Sequence, residues 1–132
     1  MTEVIVKSSQ GHKYAQNITA GNYNFTADVD DTMGGDNNGP NPHQLMLGSL
    51  GACTSITIQM YAERKGWPLE EVTVSLTEDK VADPENPSRT IPKVARQITL
   101  KGNLDEEQVE ALRAIDDKCP VHKLLSGKKE IT

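Results

Sequence analysis

GPNPHQLMLGSLGACTSITIQMYAERKG, residues 39–66, is the stretch on which the fold turns. Pro42 suits a first helical turn and Asn41 before it is a good N-cap, so the spacing predicts a helix starting near residue 42. From Leu45 to Tyr61 the apolar side chains fall on nearly every side, while Gly48, Ser49, Gly51, Ala52 and Thr54 crowd around Cys53. A helix apolar all round is a core helix that other structure must cover. Each interior glycine costs about 1 kcal/mol relative to alanine, so its return is close approach of another element or room beside the sulfur. Glu63, Arg64 and Lys65 make a charged last turn and Gly66 is the stop.

Around that helix lie 132 residues, the length of one domain, here expected over 1–132. Aromatics make up only 4% of the chain, so the core is mostly aliphatic. A formal charge of -5 argues against nucleic acid and anionic membrane as partners. The N-terminus, MTEVIVKSSQGHKY, carries no targeting pattern, and no apolar run reaches a membrane-spanning length without polar interruption. The expected location is therefore the cytoplasm. Two cysteines, Cys53 and Cys119, are too few for a disulfide framework and lack the paired spacing of a zinc site. In a reducing compartment such thiols are candidates for catalytic or redox work.

Alternating, β-branched segments at 2–8, 12–19 and 22–28 predict a three-stranded meander. Residues 28–42, dense in Asp, Asn, Gly and Pro, predict a long loop of the kind that is functional or disordered. Beyond the central helix, strands are expected at about 70–80, with Val72, Val74 and Leu76 on one face, and at 93–101, where Arg96 breaks the apolar face of Val94, Ile98 and Leu100. An amphipathic helix follows at about 105–117, capped by Asp105. A short helix then begins at Cys119-Pro120, and KKEIT is a candidate final strand. This order predicts an α+β protein with antiparallel sheets. One small sheet covers only one side of a helix, so we expect an intertwined homodimer that buries residues 42–65 between two sheets.

Cys53, among small apolar residues, has the ordinary fate of a buried structural cysteine. Cys119 differs, because an N-cap position offers free N–H groups and a helix dipole, which lower a thiol pKa. His122, three residues on, shares its face and can form a thiolate–imidazole pair. With only three histidines and no Cys-x-x-Cys, neither a metal nor a cofactor is expected.

GPNPHQLML, LGACT, MYAERKGWPLE and CPVH together resemble the OsmC/Ohr family of thiol-dependent peroxidases, specifically an OsmC-like branch with the Cys-Pro-Val-His motif, over residues 22–125. The resemblance implies antiparallel sheets wrapped around long central helices in an intertwined dimer. It also implies reduction of organic hydroperoxides by a thiol reductant, as part of an oxidative stress response. By that likeness Cys53 is similar to the peroxidatic cysteine and Cys119 to the resolving one, a Cys53 sulfenic acid condensing to a Cys53–Cys119 disulfide. Relatives bring an arginine from before the central helix to the thiolate and hold it with a glutamate just after Asn-Pro. Here the first arginine is Arg64 and Asn41-Pro42 is followed by His43 and Gln44. A substitute cation is therefore expected. Lys13 and His12 are the first candidates and His43 of a second subunit the next, with Gln44 and His122 as further supporting residues. The competing expectation is a small-molecule-binding or redox-sensing module on the same fold without fast peroxide turnover.

Overall fold

The computed structural model describes residues 2–132, with the backbone alone at Asp116. It resolves into two compact units, residues 1–46 and 47–132, each described by itself below.

In the first unit β1 (Val4–Ser8), β2 (Gln16–Ala20) and β3 (Tyr23–Ala27) form an antiparallel meander in the order β1-β2-β3. The expected meander is there, but β2 starts four residues later than its alternation suggests. The chain needs residues 9–15 to turn, with Gly11 at φ +80° and the Ser9 N–H closing on the Ala15 carbonyl at 2.9 Å. The β2–β3 link is tight, built on Gly21 at φ +61°. The polar segment that follows is ordered by one carboxylate. Asp28 is buried, and accepts from its neighbour Val29 N–H at 2.7 Å and from Asn38 N–H at 3.1 Å. Its own N–H donates to the Pro40 carbonyl at 3.1 Å, so both ends of the loop are tied together. These N–H groups hold the Asp28 carboxyl below its usual range, that of Asn38 first, against the opposing effect of burial.

The central helix α1 (Pro42–Lys65) opens on the predicted cap: Asn41 Oδ1 accepts from Gln44 N–H at 2.8 Å, and Gln44 Oε1 accepts from Asn41 N–H at 2.9 Å. It ends on Gly66 at φ +71°. Beyond it, β4 (Leu69–Ala82) and β5 (Thr90–Gly102) make a second, two-stranded antiparallel sheet in the register Val74↔Ile98 and Leu76↔Arg96. Both strands outrun the sequence expectation, because the Pro-rich segment 83–89 is simply the turn of a long hairpin. The helix buries Leu50, Thr54, Ile58 and Ala62, a stripe at i, i+4 spacing, with Gly51 beside it. Ile58 and Ala62 join Ile98, Leu112 and Ile115 in the core, with Tyr61, Trp67, Val72, Val74 and Leu100 packed around them.

The expected all-round burial of 42–65 is that of a homodimer, and a single chain supplies one part of it. Within one chain only that stripe is covered, and Ile56 and Met60 remain 48% and 59% exposed. The reason is geometric: a two-stranded sheet reaches one side of a helix. By length and composition alone α1 is also apolar enough to cross a membrane, a test that the core helix of a globular protein passes as well. Helix α2 (Glu106–Arg113) has the expected Asp105 cap, doubled into a capping box with Gln108, but stops four residues short of the expected end. A tighter 3-10 turn at 116–118 replaces its last stretch, with Ile115 before it and Cys119 after it both buried. Helix α3 (Pro120–Ser126) follows, and 127–132 form no strand, so the candidate last strand is not realised.

Candidate functional site

Cys53 and Cys119, 66 residues apart in the chain, meet in the second unit, near enough for each thiol to shift the ionisation of the other. Two local rules bring them together. Cys53 stands on α1 one residue before the buried Thr54 and two after Gly51. At Gly51 a Cβ would come within 2.6 Å of Leu76 Cδ1, so the missing side chain admits β4 against the helix. Cys119 is the N-cap of α3, with Pro120 at the position where proline costs least, and its sulfur accepts from His122 N–H at 3.4 Å. Both thiols are free, Cys119 fully buried and Cys53 only partly so.

The pair is electrostatically unequal. Burial pushes the Cys53 thiol up, and the adjoining Cys119 adds to the rise, outweighing donation from the Val121 N–H and the Thr57 hydroxyl. Burial acts on Cys119 in the same direction and is its largest single influence. It is overcome there by the Cys53 S–H, the N–H groups of His122 and Val121, and the Thr54 hydroxyl, which together hold Cys119 below the ordinary cysteine value. The negative charge of the pair is thus drawn to Cys119, with Cys53 keeping the proton as donor.

A third group is present that the sequence reading passed over. Arg96 on β5 donates from Nη1 to Thr54 Oγ1 at 2.9 Å and from Nη2 to His122 Nδ1 at 2.7 Å. It spans α1 and α3 at the two residues that flank the thiols. Its signal was visible as the one charge on the Val94–Ile98–Leu100 face, a place where an unrewarded arginine is costly. Arg96 and His122, with Leu50, Val94, Leu125 and Ser126, also line a largely apolar cleft of about 190 Å³.

The remaining candidates, His12, Lys13, His43 and Gln44, belong to the first unit. His12 Nδ1 lies 3.4 Å from Asp36 Oδ2 and 3.4 Å from Asn38 Nδ2, and Lys13 Nζ stands 5.5 Å above the Tyr14 ring, all within the first unit. Gln44 is engaged in the α1 cap and His43 is exposed beside it. Among the described residues no group of three His, Cys, Asp or Glu side chains is arranged to hold a metal.

Comparison with known proteins agrees with this architecture. An OsmC-like protein from Mycoplasma pneumoniae superposes with a TM-score of 0.76 at 15% identity, covering 96% of this chain and 88% of its own. The organic hydroperoxide resistance protein OsmC from Legionella pneumophila gives 0.67 at 25% identity over 95% and 90% of the two chains. The organic hydroperoxide resistance protein OhrB of Bacillus subtilis gives 0.64 at 19% over 97% and 92%. No curated protein matches the sequence. Residues 35–132 match the family model described as OsmC-like protein, and the chain belongs to that family.

Proposed function

We propose that this protein is a thiol-dependent peroxidase of the stress response, reducing organic hydroperoxides with Cys53 and Cys119 as its redox pair. The observation that carries the reading is the juxtaposition of a partly exposed and a buried thiol, each shifting the ionisation of the other. The hydroperoxide-resistance proteins among its structural relatives support it. Cys53 is the sulfur a peroxide can reach. Its proton passes to the Cys119 thiolate as its own sulfur attacks the terminal peroxide oxygen. The O–O bond breaks, leaving Cys53 as sulfenic acid and an alkoxide that takes a proton from water. The Cys119 thiol then attacks the sulfenic sulfur, expelling water and forming the Cys53–Cys119 disulfide. Two electrons have moved from the two sulfurs to the peroxide, and an external thiol reductant returns them by exchange. The apolar walls of the Arg96–His122 cleft favour an organic peroxide over hydrogen peroxide.

In the same proposal the chain acts as one domain over 1–132, in the cytoplasm, and as a homodimer whose second copy covers the open side of α1. Exposed Ile56 and Met60 support that assembly. A redox-sensing or binding role on the same fold is the second reading, favoured by the upward displacement of the Cys53 thiol. Stopped-flow oxidation of the reduced protein with cumene hydroperoxide against hydrogen peroxide separates the two. Fast loss of thiol selective for the organic peroxide is expected, whereas slow and unselective loss leaves the sensing role.

A further inference from the structure

We propose that Arg96 is the positioning residue of the cysteine pair, acting through the Thr54 hydroxyl and the His122 ring to keep negative charge on Cys119. The inference rests on the reading that Cys53 and Cys119 form the reactive site. A guanidinium has donors and no acceptor, so every contact it makes consumes a lone pair. At His122 this places the ring proton on Nε2, since Nδ1 receives Arg96 Nη2. At Thr54 it decides where the hydroxyl proton goes. Thr54 Oγ1 accepts from Arg96 Nη1, which leaves its single proton for the Leu50 carbonyl at 2.8 Å or for the Cys119 sulfur. With Cys119 protonated the hydroxyl is satisfied by Leu50. Once Cys119 carries charge, a small rotation turns the same proton onto sulfur, and the guanidinium behind it strengthens the donation.

The second arm works on the backbone. By holding the His122 ring, Arg96 fixes the residue whose N–H caps the Cys119 sulfur. One side chain on β5 thus sets two of the donors that face Cys119, one from α1 and one from α3. Among the described residues, Cys53 on α1 faces this thiol directly, and Arg96 on β5 and the His122 ring on α3 stand behind its donors. The downward displacement of a fully buried thiol is what such an arrangement produces.

The test reads Cys119 directly, by ultraviolet thiolate absorbance against pH in the full chain carrying Cys53→Ser, which retains a donor beside Cys119. Arg96→Met and Thr54→Val should each move the titration to higher pH, with roughly tenfold less thiolate below the midpoint, the scale of one hydrogen bond to a charged group. Because Thr54 is one of the two arms through which Arg96 acts, the double variant should be little worse than Arg96→Met alone. An unmoved midpoint in Arg96→Met or Thr54→Val overturns the proposal, and so do shifts that simply add. If Arg96→Met does not fold, Arg96→Lys is read in the same way. Lysine keeps a charge but loses the two-armed fork, and a midpoint equal to that of the parent would likewise overturn it. Peroxide oxidation of the unmodified protein, followed in parallel, keeps the two ideas distinguishable. Slow oxidation with the titration shifts intact removes the peroxidase and leaves the role of Arg96 standing.

Discussion

Gly48→Ala asks of α1 a question that one chain cannot answer. Two glycines inside a 24-residue helix each cost about 1 kcal/mol in helix stability relative to alanine. Gly51 has its compensation within the chain, where a Cβ would press on Leu76 Cδ1 at 2.6 Å. Gly48 has none: no atom lies within 4 Å of a Cβ built there. In an isolated subunit Gly48→Ala should therefore stabilise by about 1 kcal/mol, raising the melting temperature by roughly 4 °C. In the proposed homodimer the expectation reverses. Gly48, Ala52, Ile56 and Met60 climb the open side of the helix at i, i+4 spacing, and a small residue at the first two lets a second helix approach closely. A methyl group pushed into such a contact costs about 1–3 kcal/mol, and two-fold symmetry makes the contact twice. Even about 2 kcal/mol in total raises the dissociation constant about 30-fold. Sedimentation velocity across a dilution series, with denaturant unfolding at two concentrations, measures both terms. A monomeric parent protein with Gly48→Ala more stable by the helix-propensity amount would refute the reasoning, and with it the assembly through this face.

Three further outcomes are expected. Sub-stoichiometric cumene hydroperoxide followed by non-reducing peptide mapping should find a Cys53–Cys119 linkage within one chain, absent in Cys53→Ser and Cys119→Ser; a linkage only between chains removes the resolving step. The Asp28 carboxyl, held low in the folded state, contributes stability that is present above its unfolded value near 3.8 and is lost as pH falls through the lower folded one, so Asp28→Asn should flatten the acid limb of the stability profile of the first unit. A parallel acid limb in the variant contradicts that assignment. Gly39→Ala should destabilise by about 2 kcal/mol or more, because its Cβ would run into the Thr26 carbonyl, which is backbone and cannot step aside; a neutral effect on thermal unfolding shows that the 28–40 loop yields.

Much of this was legible because local rules decide it. Asn41 with Pro42, Asp105 with Gln108, and Cys119 with Pro120 are cap signatures whose donors and acceptors lie within four residues, so the starts of all three longer helices could be read directly. Ends and turns were less legible. The meander's first turn takes seven residues, where the alternation of 2–8 and 12–19 leaves three, and the last stretch predicted for α2 tightens into a 3-10 turn between buried Ile115 and buried Cys119. Both depend on packing that no window of sequence contains.

Arg96 shows the same limit at the site. Its position was plain in the alternation of β5, where it interrupts an apolar face, and an interruption was all that the strand pattern could express. What makes it informative is the register: β5 pairs Arg96 with Leu76, and Leu76 lies against Gly51, two residues from Cys53. Through that chain of neighbours the guanidinium arrives at Thr54 and His122 from β5. A charge on the inner face of an otherwise aliphatic strand must find acceptors or unfold the hairpin around it. In a core this poor in polar groups, two of those acceptors are Thr54, beside Cys53, and His122, on the helix that Cys119 caps.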